Sequence, residues 1–126
     1  MIRNISKSIV NLNSQKIATN TSFKELVLES KKPVIVDIRP CYYTPTKFLN
    51  KELFEAIKEK NDTFELVTID FDEEYELAKL LKIQSFPTII GFSNGNFLKK
   101  HTGPFRSKSH ILEFLNHIET EHKKKY

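Results

Sequence analysis

The chain has one thiol, Cys41. It lies in the stretch best equipped for chemistry, Pro33-Val34-Ile35-Val36-Asp37-Ile38-Arg39-Pro40-Cys41-Tyr42-Tyr43-Thr44-Pro45-Thr46. The β-branched run Val34–Val36 reads as a buried strand, and Asp37 and Arg39 follow it. Two prolines then lead into a helix that starts at Thr44 or Pro45. A strand emptying into a loop and a helix N-terminus is a common place for chemistry in α/β proteins. A loop shorter by two residues would bring Cys41 to the helix N-terminus, where that end and Arg39 would lower its pKa and favour the nucleophilic thiolate. The spacing from Asp37 to Asp72 speaks against such a shortening and leaves Cys41 as a small loop residue. With a single cysteine, neither an internal disulfide nor a cysteine zinc site can form.

Other chemistries find no constellation. His110 and His117 fall a heptad apart with Glu113 between them, but a metal site needs three or four converging ligands and no third is apparent. These histidines are expected on the surface, and neither a metal nor a cofactor is expected. There is no glycine-rich phosphate loop, no nucleophile elbow and no convincing Ser/His/Asp order.

The elements that must position this stretch follow from periodicity. Lys16–Thr19 reads as a short edge strand. Thr21 or Ser22 can cap a helix reaching about Ser30, with Phe23, Leu26 and Val27 inward. The central strand is Val34–Ile38. A second helix runs from about Thr44 to Lys60, with Pro45 in its first turn and Leu49, Leu53, Ala56 and Ile57 on one face. Phe64–Phe71 is a strand, and Asp72 is expected to cap a third helix that buries Leu77, Leu80 and Leu81. Thr88–Ser93 and Asn96–Thr102 flank Asn94-Gly95, a strong hairpin signal. Ser107 or Ser109 caps a last helix with Ile111, Leu112, Leu115 and Ile118 inward. The order βαβαβα, then a β-hairpin and a helix, implies an α/β fold: a central mixed sheet flanked by helices on both faces.

Composition bounds the rest. A chain of 126 residues suits one domain with one core. Residues 1–22 are basic, rich in Ser, Asn and Thr, and free of acids; Ile2, Ile5, Ile9 and Leu12 recur at helical spacing. That is the composition of a mitochondrial transit segment, and it also fits a polar arm with a nascent helix. Residues 1–24 hold four of the 20 basic residues and no acid, so residues 25–126 carry 16 charges of each sign. A balanced domain does not offer the basic face that nucleic acid requires. No apolar run is long enough to span a membrane. The organisation expected is an arm at 1–22, a domain at 16–118 whose first strand overlaps the arm, and a charged tail at 119–126.

These pieces together resemble the thioredoxin family, from about Lys16 to Ile118. Ser22-Phe23 with Val27-Leu28 resembles its first helix, and Lys32-Pro33-Val34-Ile35-Val36-Asp37-Ile38 its central strand. Ile69-Asp70-Phe71-Asp72 and Ile83-Gln84-Ser85-Phe86-Pro87-Thr88 resemble its later signatures. Asn94-Gly95 and Gly103 fall at its hairpin and its glycine. The resemblance implies the thioredoxin fold and a cis-proline at Pro87. It also implies a peptide-facing surface gathering Tyr42, Tyr43, Phe86, Pro87, Thr88, Gly103, Pro104 and Phe105.

The family motif Trp-Cys-Gly-Pro-Cys, laid on without a gap, falls on Tyr42-Tyr43-Thr44-Pro45-Thr46. Tyr43 and Thr46 replace the two cysteines, so a dithiol cycle is excluded there: a phenol titrating near 10 cannot attack a disulfide, and threonine cannot resolve one. Asp37 corresponds to the family's buried acid, but the position that holds its lysine is Thr68. Without that cation, Asp37 is expected to be neutral or held by a structural hydrogen bond. The function expected from this degenerate site is that of a redox-inactive binding protein, not an enzyme. It would be an accessory subunit of a mitochondrial complex, such as a respiratory-chain complex of the inner membrane. Its partners would be other subunits, and it would sit in the matrix or peripherally on the matrix side of the membrane; a cytoplasmic location is the alternative. The competing function is a monothiol, disulfide- or glutathione-linked oxidoreductase using Cys41.

Overall fold

In the computed structural model, residues 15–40, 46–61 and 63–124 are described, residues 46–50 by their backbone alone. Residues 1–14 and 41–45, the latter holding Cys41, Tyr42, Tyr43, Thr44 and Pro45, lie outside the described residues. Five strands, β1 (Gln15–Ala18), β2 (Val34–Arg39), β3 (Glu65–Asp70), β4 (Thr88–Ser93) and β5 (Asn96–Thr102), form one mixed sheet in the order β1-β3-β2-β4-β5. β1, β3 and β2 are parallel, whereas β4 runs antiparallel to both β2 and β5. The hairpin forms where Asn94-Gly95 places it. Both residues have positive φ (51° and 83°), which matches the right-handed twist of the flanking strands.

Period-2 alternation splits the sheet residues between two cores. Val34, Val36, Ile38, Val67, Ile69, Ile90 and Phe92 face α1 (Lys24–Leu28) and α3 (Tyr75–Leu80), meeting Phe23, Val27, Leu77 and Ala78. Ile35, Leu66 and Ile89 face α2 (Thr46–Lys58) and α4 (Lys108–Lys124), meeting Leu53, Ala56, Ile57, Ile111, Phe114, Leu115 and Ile118. Gly91 lets α4 approach closely, because a Cβ there would stand 2.3 Å from Ile118 Cδ1. Ser107 Oγ accepts the His110 N–H and caps α4, as expected of one of the two serines.

Two local expectations are corrected. α1 is a single turn in which the Glu29 N–H donates to the Lys24 carbonyl, five residues back. α3 begins at Tyr75 rather than after Asp72, whose N–H instead donates to Asp70 Oδ1. Leu80 is 76% exposed. The buried stripe of so short a helix centres on Leu77 and Ala78, with Leu81 packed beside them, and at 100° per residue that turns Leu80 outward.

Candidate functional site

Sheet register assembles the floor of the site. Asp37 on β2 lies opposite Thr68 on β3 and Ile89 on β4, and Ile89 lies opposite His101 on β5. All four point to the side covered by α2 and α4. Arg39 is two residues beyond Asp37 on the same strand, so alternation puts both side chains on that face. Arg39 Nε stands 3.3 Å from Asp37 Oδ2, the two side chains being 11% and 3% exposed. The expectation that Asp37 lacks a cation is therefore corrected: the cation comes from its own strand. An Asp-x-Arg pair at strand spacing was the signal in the sequence.

Above this pair is a cavity of about 50 Å³, lined by Asp37, Arg39, Glu52, Leu53, Pro87, Ile89, Gly103, Pro104, Phe105 and Ile111. The Phe86–Pro87 peptide bond is cis. The Gly103 N–H donates to the Pro87 carbonyl at 2.8 Å, tying the two rims of the cleft together. Gly103 has φ +91°, a turn that glycine adopts freely. Past it, Phe105 stacks flat on His101, with centroids 4.0 Å apart and planes 5° apart, and meets His110 and Phe114 edge-on. The Arg106 N–H donates to His110 Nδ1 at 3.2 Å, so His110, expected on the surface, helps hold this wall.

The electrostatics follow from burial. Asp37 is pushed up from 3.8 to about 6, chiefly because the charged form loses water, with Arg39 opposing the shift. His101 is pushed down, first by burial; the Pro104 carbonyl opposes that, and the neighbouring His110 adds to it.

Of the expected peptide-facing residues, the structure brings Pro87, Gly103, Pro104 and Phe105 to one cleft. Phe86 turns the other way and packs edge-on against Phe71, which also meets Tyr75. Thr88 is buried, with its hydroxyl donating to the Ser85 carbonyl at 2.6 Å. Arg39 and Glu52 line the same cleft although sequence reasoning left them out of it. Cys41, Tyr42, Tyr43, Thr44 and Pro45 lie outside the described residues, and Thr46 opens α2. Among the described residues, no three His, Cys, Asp or Glu side chains converge to hold a metal, and no helix is long and apolar enough to cross a membrane.

A family model, Thioredoxin, matches residues 14–117. The "Thioredoxin" of Rickettsia prowazekii is 34% identical over 98 residues, covering 78% of this chain and 92% of that protein. "Thioredoxin, mitochondrial" of Mus musculus is 24% identical over 116 residues (92% of this chain, 69% of that protein). "Thioredoxin Y, chloroplastic" of Oryza sativa subsp. japonica is 29% identical over 104 residues (82% and 62%). These findings overturn the expectation of a redox-inactive, non-enzymatic accessory subunit of a respiratory-chain complex: the relatives carry the name thioredoxin and none of those three is named a subunit. The physical error lay in scope. Tyr43 and Thr46 remove a two-thiol cycle at those positions, yet they leave the chemistry of the remaining thiol untouched. By a match that runs along nearly the whole of the fold described above, the chain belongs to the thioredoxin family.

Proposed function

We propose that this protein is a thiol–disulfide oxidoreductase working with one thiol, Cys41. The observation that carries this reading is the cleft. β2 delivers an ionisable acid and a guanidinium to a cavity rimmed by Pro87 and Gly103, and the chain's only sulfhydryl follows Arg39 by two residues. In the reaction, the Cys41 thiolate attacks one sulfur of a substrate disulfide. A bond forms between Cys41 and that sulfur, the substrate S–S bond breaks, and its second sulfur leaves as a thiolate that takes up a proton. A second thiol, from the substrate or from glutathione, then attacks the mixed disulfide and releases Cys41 as thiolate. Each step exchanges one S–S bond for another, so electrons balance without a further oxidant.

The substrate in this reading is a disulfide-bearing protein or a glutathione mixed disulfide, seated against Pro87, Gly103, Pro104 and Phe105, with Tyr42 and Tyr43 as further contacts. A mitochondrial location is part of the same reading. The acid-free arm over 1–22 supports it, as does the likeness to a mitochondrial relative over 116 residues. The arm, the domain over 16–118 and the charged tail are taken as separate functional segments.

Alkylation of Cys41 by iodoacetamide, followed across pH by intact mass, tests the reading. The expected rate profile has its midpoint below the ordinary cysteine value of about 8.5. A midpoint at or above that value, with the rate of a free cysteine, would refute a working thiol.

A further inference from the structure

α4 begins with a reciprocal cap whose second member is a histidine. Ser107 is the N-cap: its carbonyl accepts the Ile111 N–H and its Oγ accepts the His110 N–H, both at 3.2 Å. His110, the third residue of the helix, reaches back and accepts the Arg106 N–H on Nδ1, also at 3.2 Å. In the usual box that third residue is glutamate or glutamine and reaches the N-cap N–H; here the reach is one residue longer. The carbonyl oxygen of glutamine accepts a hydrogen bond at any pH, whereas imidazole accepts on Nδ1 only while it is neutral. We propose that His110 is a pH-sensitive latch on the Pro87 cleft: neutral, it ties the turn over Gly103–Arg106 to α4 and fixes the Phe105 wall; protonated, it releases both. The consequence for the exchange rests on the thiol reading above, whereas the latch stands on geometry.

Three effects coincide when His110 takes a proton. The acceptor at Nδ1 becomes an N–H facing the Arg106 N–H, so the bond is lost and two donors oppose each other. The new positive charge lies in the first turn of α4, where the helix dipole disfavours a cation. The ring also meets Phe105 and His101 edge-on, with centroids 5.2 and 5.0 Å apart, and turning it to relieve the opposed donors gives up both contacts. Phe105 lines the cleft and lies flat on His101, so its wall moves with the cap. The same turn reaches the opposite rim through the Gly103 N–H, which donates to the Pro87 carbonyl.

The charged groups around His110 do little to offset this. From β5 it faces His101, whose proton affinity is lowered first by burial, with the Pro104 carbonyl opposing and His110 and Lys99 adding to the fall. The 103–106 turn contributes the cation Arg106. On α4, Lys108 pairs with Glu59 of α2, and Glu55 of α2 also acts on that lysine. Glu52 lines the cleft, and Asp37 is paired with Arg39 at its floor. Among the described residues, Glu113, three positions on along α4, is the acid best placed to favour a charged ring, and it is exposed, where solvent and salt weaken it. Histidine is the side chain whose ordinary titration falls between pH 5 and 8, so the latch works across that range.

Amide hydrogen exchange of the whole chain, read by NMR as protection factors at pH 7, 6 and 5, tests the latch. In wild type the Arg106 and Gly103 amides should each lose roughly fivefold protection from pH 7 to pH 5, the size of a lost cap bond. His110→Gln, which keeps the box and cannot titrate, should hold both constant, and His101→Phe should keep the wild-type fall at Arg106. Unchanged Arg106 protection in wild type, which needs no variant to observe, would overturn the latch. So would the same fall in His110→Gln, or its disappearance in His101→Phe. A fall at Arg106 with Gly103 unmoved would overturn the link to the cleft. Beside this, the rate of exchange with a glutathione–peptide mixed disulfide, taken as wild type over His110→Gln, should drop several-fold from pH 7 to pH 5. A constant ratio would overturn regulation of the exchange. Inactivity of both proteins would refute the thiol reading and that regulation together, and the amide data would still decide the latch.

Discussion

Replacing Asp37 with asparagine should stabilise the protein at neutral pH and leave it unchanged near pH 4. The native carboxyl titrates near 6, whereas the unfolded one titrates near 3.8. The unfolded state therefore releases its proton first as pH rises, and native stability falls through the window from about 4 to about 6. The shift is about two units, and at roughly 1.4 kcal/mol per unit the ionised native carboxyl costs about 3 kcal/mol at pH 7. That figure already contains the compensation from Arg39, because the shift is what remains after the ion pair has acted. Asparagine resembles the protonated acid in shape and charge and so avoids the cost. Urea denaturation at pH 4, 5, 6, 7 and 8 should show the two proteins converging at the acid end and separating by about 3 kcal/mol above pH 7, a difference of about 10 °C in melting temperature for a chain of this size. Curves that stay parallel across this range, or a variant less stable at pH 7, would refute the reasoning that burial dominates Asp37.

Two further substitutions probe the packing around the site. Gly91→Ala should destabilise by about 1–3 kcal/mol in thermal or urea unfolding, because its Cβ would press on Ile118 Cδ1; adding Ile118→Val, which removes that carbon, should recover part of the loss. His101 has the opposite linkage to Asp37. Its proton affinity is lowered on folding, so its contribution to stability is lost as pH falls below about 6.5. His101→Phe keeps a ring on Phe105, and its stability relative to wild type should rise steadily on acidification from pH 7 to pH 5. A constant difference over that range would show that His101 is not held neutral by its burial.

The fold was legible because its signals are local and concordant. The Asn94-Gly95 turn, the β-branched run at Val34–Val36 and the apolar stripe ending at Ile118 each admit one reading, and the strand ranges agree to within a residue or two. Leu80 and Asp72 misled because a helix of six residues gives periodicity little to work on. The candidate site was legible in part. Pro87, Gly103, Pro104 and Phe105 converge as the resemblance implied. Thr88 and Phe86 do not join them, since alternation along the chain buries one and turns the other toward Phe71. Arg39 was visible in the sequence, but the search for a cation went to the neighbouring strand when the partner was two residues away on the same one. The leading function was misjudged because the loss of both motif cysteines was weighed above the remaining thiol, Cys41, two residues before the first of those positions, and single-thiol chemistry stood only as the alternative.

The most direct measurement is turnover of a glutathione–peptide mixed disulfide, with reduced glutathione as the resolving thiol, by wild type and by Cys41→Ser. The account predicts release of the peptide thiol by wild type at a rate well above the uncatalysed exchange, together with a Cys41 adduct seen by intact mass, and the loss of both in Cys41→Ser. Equal rates for the two proteins, or no release above background by wild type, would contradict it.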